Sequence, residues 1–306
     1  MRHRIFALFA TSMLLISACA ISQSNSSLQP AEMVELTAHP SKHVKPRNIS
    51  IWLPPEYSAT PPTPYPVIYA HDGQNLFEPG RSYGGVEWQL DETANRLMSD
   101  GTLRPAIIVG IWNTSDRWQE YAPQKVIESL TGDTASEWLG PTLPELKADA
   151  YLRFITEELK PYIDETYATA SGSSDTFIMG SSMGGLISLY AMSEYPDTFS
   201  KAAAVSIHWP LTEPEGALAQ QADAAQQAYL ANGGLDRDKH KIWFDHGTET
   251  LDAAYPPHAQ AMEAWFREQG WAEDQAVFRA YPGTDHSEGA WAARGDEILT
   301  FLLSQD

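Results

Sequence analysis

Thr176-Phe177-Ile178-Met179-Gly180-Ser181-Ser182-Met183-Gly184-Gly185-Leu186-Ile187 is the stretch that decides the fold. An apolar run with β-branched Thr176 and Ile178 leads in, and a helical pattern over residues 186–195 leads out. Between them Gly180, Ser182 and Gly184 spell G-x-S-x-G, the pattern of a serine held on a sharp strand-to-helix turn. In so tight a turn, side chains two before and two after the serine would collide. Glycine at both places removes the clash and tolerates the strained backbone. Ser181 does not fit the frame, because Met179 and Met183 would then occupy the glycine positions. The strand before and the helix after separate this turn from a plain Gly/Ser turn.

A serine alone is a weak nucleophile. It needs a base, and the base needs an orienting acid. The α/β-hydrolase fold supplies them in the chain order Ser, Asp/Glu, His. Downstream of Ser182, the strand-like run 241–245 enters His246-Gly247-Thr248-Glu249-Thr250-Leu251-Asp252. A second strand-like run, 276–281, enters Pro282-Gly283-Thr284-Asp285-His286-Ser287. An acidic loop and then a histidine loop therefore each follow a strand. Asp285, beside His286, reads as a turn residue.

Upstream, residues 48–53 alternate as an early strand, and 65–70 form a short apolar strand that runs into His71-Asp72-Gly73-Gln74-Asn75-Leu76-Phe77. Helical periodicity marks 87–98, with Leu90, Ala94 and Leu97 on one face. A buried strand is expected at 106–112, an irregular acidic segment at 126–146, and an amphipathic helix at 148–167. Another strand follows at 202–207, then helices at 217–230, 259–269 and 289–303. Strands alternating with helices imply a mostly parallel sheet covered on both faces, with the catalytic loops at the carboxyl ends of the strands.

The N-terminus reads as a signal over residues 1–18: Arg2 and Arg4, an apolar run over 5–16, then Ser17-Ala18 before Cys19. The run is short for a membrane span. Ile16-Ser17-Ala18-Cys19 resembles a bacterial lipobox, which makes Cys19 the lipidated N-terminus of the mature chain. Residues 19–44 are expected to be a tether and 45–306 a single domain. Cys19 is the only cysteine, so a disulfide, a catalytic thiolate and a cysteine metal site are excluded. The net charge is −20, and −22 once Arg2 and Arg4 leave with the signal. Such a surface repels nucleic acid and anionic headgroups. Contact with the membrane is expected only through the lipid, with the body facing the periplasm, at the outer membrane because Ala20 follows the cysteine. No H-E-x-x-H and no G-x-G-x-x-G occurs, so neither a metal nor a dinucleotide cofactor is expected.

The elbow Gly180-Ser181-Ser182-Met183-Gly184-Gly185, the 71–77 segment and the order of the acid and histidine loops resemble the Putative esterase (esterase D-like) family. The resemblance spans about residues 45 to 305. It implies an α/β-hydrolase fold and a serine carboxylic-ester hydrolase, in a group that includes feruloyl, acetylxylan and siderophore esterases. The substrate is then a small-molecule or carbohydrate-linked ester. Ser182 takes the role of nucleophile and His286 that of base. In the family the acid commonly follows a Gly-Thr pair, here Gly247-Thr248. The position three after the glycine is Thr250, so Asp252 requires a longer loop and Glu249 a shorter one. Asp252 is preferred because aspartate is the usual partner, and Asp245 is a weaker candidate. The resemblance also implies oxyanion donors from the backbone N–H groups of Met183 and Gln74. Gly73 would allow close approach of the backbone to substrate.

Arg117-Trp118-Gln119-Glu120-Tyr121-Ala122-Pro123 resembles a recurring Arg…Glu-Tyr-x-Pro segment of these esterases. Asp72, Arg117, Trp112 and Trp209 are the candidate substrate contacts, since aromatic loops suit an aromatic acyl group or sugar rings. The competing readings are an acyltransferase or thioesterase on the same fold, and a binding lipoprotein without catalysis. Retention of both Ser182 and His286 weighs against the last.

Overall fold

The computed structural model describes residues 29–130, 145–211 and 217–304. The signal, Cys19 and residues 131–144 of the expected irregular segment lie outside them. Eight strands build one sheet: β1 (Glu32–His39), β2 (Arg47–Leu53), β3 (Val67–His71), β4 (Ile107–Ile111), β5 (Thr176–Ser181), β6 (Lys201–Val205), β7 (Lys241–His246) and β8 (Ala276–Ala280). Their order is β1-β2-β4-β3-β5-β6-β7-β8. β1 and β2 run antiparallel, and β4, β3 and β5 through β8 are mutually parallel.

Period-two alternation divides each central strand between two cores. Along β3, Val67 and Tyr69 enter one cluster while Ile68 and Ala70 enter the other. The first cluster lies under the helix Met183–Glu194 and the helical stretch 148–166. The second lies under the helices Leu90–Ser99 and Gly295–Leu303. Ten of the twelve residues of Met183–Glu194 are buried, which explains why its sequence shows no polar face. The family of strands thus reads as expected, with helices on both faces of a mostly parallel sheet.

Three boundaries differ from the sequence reading. Residues 32–39, assigned there to the tether, form β1, which pairs with β2 at Met33↔Trp52 and Val34↔Ile51. An edge strand needs only one partner and stays half exposed, so Glu32, Glu35 and His39 mask its periodicity. The helix expected at 87–98 begins at Leu90, because Gln89 is left-handed at φ 51° and Trp88 turns into the core. The segment 126–146 is not irregular at its start, since Gln124–Ser129 is helical with Val126 and Ile127 buried. The helix expected over 148–167 is present, but its middle, Phe154–Leu159, has π-helical pairing. No helix among the described residues is long and apolar enough to cross a membrane.

Candidate active site

Ser182 sits between the end of β5 and the helix Met183–Glu194, with φ 55° and ψ −119°. A side chain costs energy in that region, and only an over-determined turn holds it there. A Cβ on Gly180 would lie 2.8 Å from the carbonyl carbon of Gly184, so glycine is obligatory at that position. Gly184 differs from expectation: a Cβ there would meet nothing closer than 3.5 Å. The collision in the elbow is between the side chain at 180 and the backbone at 184. The serine's carbonyl accepts from His208 N at 3.3 Å, which ties the elbow to the loop after β6.

The acid loop after β7 and the histidine loop after β8 meet. His286 Nδ1 lies 2.6 Å from Asp252 Oδ1. Asp252 is fully buried, whereas Glu249 is exposed on the same loop. Oδ2 of Asp252 accepts from Gly247 N at 2.6 Å and from Ser206 Oγ at 2.7 Å. Burial opposes the ionised form. The bonds from His286, Ser206 and Gly247 outweigh it and hold the carboxyl below the usual carboxylate range. Asp245, the third candidate, is engaged elsewhere: its Oδ1 accepts from Arg294 Nη2 at 2.7 Å and from Ser206 N at 2.8 Å. Asp285 only accepts from Ser287 Oγ in its own turn.

Gly247 also explains why the two loops can touch. A Cβ there would lie 2.2 Å from the Thr284 carbonyl oxygen, which in turn accepts from the N–H groups of Thr248 and Glu249. Gly247→Ala is expected to destabilise the fold by about 1–3 kcal/mol, the usual range for overpacking. It should lower kcat as well, because one loop must retreat from the other. Thermal melting and turnover of a p-nitrophenyl ester check this, and a variant unchanged in both would show that the loops have slack.

The 71–77 segment turns at Asp72, which is left-handed at φ 55°, and continues as the short helix Gly73–Asn75. The close approach at Gly73 is to protein and not to a ligand face: a Cβ there would lie 2.4 Å from the carbonyl carbon of Gly110. Asp72 is buried. Arg117 grips it through Nε at 2.8 Å and Nη2 at 2.7 Å, and Asn113 Nδ2 donates at 2.6 Å. Burial raises the Asp72 pKa, but Arg117 and Asn113 pull it below its ordinary value. Tyr121 Oη accepts from Asp72 N at 3.2 Å, and Glu120 pairs with fully buried Arg47 at 2.6 Å. The Arg117–Tyr121 segment is therefore a brace for the Asp72 turn and for Gln74, whose Oε1 accepts from Asn113 N. Arg117 keeps 34% of its side chain exposed, so it can also face a ligand.

One of the two tryptophans expected at the substrate is taken into the core. Trp209 is 1% exposed and packs on Phe244 with ring centroids 5.2 Å apart, which makes it a core residue. Trp112 donates from Nε1 to Ser50 Oγ at 2.8 Å, on the β2 side of the sheet. Several site residues escaped the sequence reading. Ser206 Oγ accepts from Trp291 Nε1 and Arg294 Nη2 while giving its proton to Asp252, so it is saturated. Trp291, whose loop the sequence already suggested would flank the site, stands edge-on to His286 at 5.0 Å. Glu288 Oε1 accepts from Asn75 Nδ2 at 3.2 Å, joining the Asp72 turn to the histidine loop. Burial and then the charge of Asp72 raise the Glu288 pKa. Tyr255 is buried, its hydroxyl 2.6 Å from His208 Nδ1 and its ring edge-on to His286. The spacing Asp-x-x-Tyr and His-x-Glu-x-x-Trp was visible in the sequence, but nothing in it aimed those side chains inward. Among the described residues no group of three or more His, Cys, Asp or Glu is placed to hold a metal.

The strand order and the loops after β5, β7 and β8 define an α/β-hydrolase. The chain belongs to the Putative esterase family, whose model matches residues 42–301, and it is a carboxylic-ester hydrolase. It is 28% identical over 271 residues to the uncharacterized protein YbbA of Bacillus subtilis (strain 168), covering 85% of this chain and 94% of that one. Ferri-bacillibactin esterase BesA of the same organism is 28% identical over 238 residues, which is 72% of this chain and 78% of BesA. Among solved structures, a ferulic acid esterase matches with a TM-score of 0.62 at 20% identity, over 89% of this chain and 98% of that one. The enterobactin esterase FES from Shigella flexneri, solved with enterobactin, matches with a TM-score of 0.62 at 15% identity, over 90% of this chain and 60% of that one.

Proposed function

We propose that the protein is a serine esterase of the bacterial envelope that works through Ser182, His286 and Asp252 by way of an acyl-enzyme. The observation that carries this reading is the 2.6 Å contact between His286 and a fully buried Asp252, together with a serine strained at φ 55° at the end of β5. In acylation Ser182 Oγ attacks the ester carbonyl carbon while His286 Nε2 takes its proton. The tetrahedral oxyanion faces the backbone N–H of Met183, at the head of a helix where no preceding turn supplies a carbonyl, and that of Gln74. As the bond to the alcohol breaks, His286 returns the proton to the leaving oxygen. Water then repeats the sequence on the acyl-enzyme and frees Ser182 and the acid. Asp252 holds the proton on Nδ1 throughout, which leaves Nε2 able to accept.

The names of its relatives point to esters of aromatic acids or of catechol-bearing lactones, and the brace-held Arg117 offers a cation to an oxygen-rich ligand. A panel tests both the activity and its class: p-nitrophenyl acetate, a feruloyl ester, an acetylated xylan fragment and a catechol-siderophore trilactone. At least one should be turned over, with the purified protein labelled by a fluorophosphonate. Absence of turnover together with absence of labelling would overturn the reading.

The envelope location rests on Ile16-Ser17-Ala18-Cys19. Expressed in a bacterium with its signal, the protein should partition into detergent and incorporate labelled fatty acid, and Cys19→Ala should abolish both. Wild-type protein that is unlabelled and free in the periplasm would refute the lipid anchor.

A further inference from the structure

Behind the triad acid lies a second charged group that touches no reacting atom. Ser206 follows β6, fully buried and left-handed at φ 39°. A side chain is strained there, and only a turn fixed from several sides keeps it. The turn aims one residue at two carboxylates. Its N–H donates to Asp245 Oδ1 at 2.8 Å, and its hydroxyl donates to Asp252 Oδ2 at 2.7 Å. Arg294 closes the ring. Its Nη2 donates to the same Asp245 oxygen at 2.7 Å and to Ser206 Oγ at 2.8 Å. Trp291 Nε1 donates to Ser206 Oγ at 3.0 Å. The ion pair of Arg294 and Asp245 is buried, with the guanidinium 4.8 Å from the centre of the Tyr281 ring.

The direction of the Ser206 hydroxyl follows from its neighbours. A hydroxyl has one proton to give and two lone pairs to fill. Indole and guanidinium N–H groups can only donate, so Trp291 and Arg294 take both lone pairs. The acceptor left to the proton is Asp252 Oδ2, and Ser206 is a donor that cannot turn round. With Gly247 N–H at 2.6 Å it makes two donors on Oδ2, which leaves Oδ1 for His286 Nδ1. A proton on Oδ2 would face both donors, so the carboxyl stays ionised and accepts from the imidazole. Arg294 closes this lock without adding net charge, because Asp245 offsets it at 2.7 Å. The group keeps the negative charge of Asp252 for the imidazolium that forms on His286. A buried ion pair stabilises a fold little. What this one does is fix a hydroxyl.

We propose that Ser206 is a positioning residue for the triad acid: locked as a donor by Arg294 and Trp291, it holds the Asp252 carboxylate with Oδ1 towards His286. The proposal rests on the reading of Ser182, His286 and Asp252 as the triad. Ser206 acts only through Asp252. Without its hydroxyl, Oδ2 keeps the Gly247 N–H alone, and the carboxylate can swing about its Cβ–Cγ bond. The His286 Nδ1–H then loses a fixed partner, and the tautomer with the proton on Nε2 gains population. That tautomer cannot take the proton of Ser182 in acylation or that of water in deacylation. Both steps slow, while binding of the ester in its ground state is untouched.

The test uses the whole mature chain with p-nitrophenyl acetate, fluorophosphonate titration of Ser182 and proton NMR. Titration counts the reactive sites, so a loss that came only from unfolding would vanish from kcat per site. Ser206→Ala keeps the Cβ and removes only the oxygen. It should lower kcat per titrated site by about 10- to 100-fold with KM within about twofold, the pattern of an interaction made in the transition state. The low-field proton of His286 Nδ1–H should shift, or broaden by exchange. The double variant Ser206→Ala/Asp252→Asn should be no slower than Asp252→Asn, since the serine acts only through the carboxylate. Wild-type kcat per site in Ser206→Ala, an unmoved low-field proton, or additive losses in the double variant would overturn the proposal. Should Ser206→Ala fail to fold, Ser206→Gly relieves the turn and carries the test, and an unchanged kcat per site there is the overturning result. Asp252→Asn keeps the two readings apart. If it is crippled beside a fully active Ser206→Ala, only the role of Ser206 falls. If it is itself fully active, the acid assignment falls and the role of Ser206 with it.

Discussion

Ser182→Ala is expected to lower kcat by about three to six orders of magnitude with the fold intact, the range seen when a triad nucleophile is removed. The loss has a local cause. The elbow holds this one residue at a strained strand-to-helix turn, tied to the loop after β6 through His208 N. Alanine keeps the Cβ and differs by a single oxygen, so the turn at φ 55° is asked for nothing new. Ser181 is the control, since it is the last residue of β5, paired with Val205 and buried in the sheet. Ser181→Ala should cost far less. Steady-state kinetics, melting curves and the site of fluorophosphonate attachment by mass spectrometry check the pair. Comparable losses from both changes, or attachment at Ser181, would overturn the frame on which the elbow is read.

How far the sequence carried this site depends on whether the information was local. The elbow was legible because strand, turn and helix are contiguous and the turn itself demands glycine at 180. β5 through β7 were legible because buried parallel strands are nearly continuous apolar runs. β1 was not, because an edge strand needs a partner and not a pattern. The core role of Trp209 and the Ser206–Arg294–Asp245 network were invisible for the same reason: each depends on residues about 40 to 90 positions away that meet only in the fold. The expectation for Gly184 was half right, since the clash belongs to the side chain at 180. Asp252 over Glu249 was a choice between two loop lengths. What separates them is depth: one carboxylate is enclosed with three donors and the other lies in water.

That difference makes Asp252→Asn the sharper test. Two donors, Gly247 N–H and Ser206 Oγ–H, converge on Oδ2, so the amide oxygen of an asparagine must face them. Its NH2 group then faces His286 Nδ1, where the carboxylate oxygen stood 2.6 Å away. A ring nitrogen facing a donor must accept, so the proton moves to Nε2. That is the nitrogen that has to receive the proton of Ser182. The asparagine thus enforces the wrong tautomer, and kcat should fall by roughly two to four orders of magnitude with KM changed much less. Glu249→Gln removes an exposed, screened charge and should cost at most about tenfold, which is about 1.4 kcal/mol. A second readout is independent of turnover. The folded pKa of Asp252 is depressed, so its stabilising contribution is complete above an unfolded value of about 3.9 and is lost as pH falls through the lower folded value. Urea melts across the acid range should therefore show a flatter pH dependence for Asp252→Asn than for the wild type. A crippled Glu249→Gln beside an active Asp252→Asn would reassign the acid. Full activity in both variants would leave Ser182 and His286 working as a dyad.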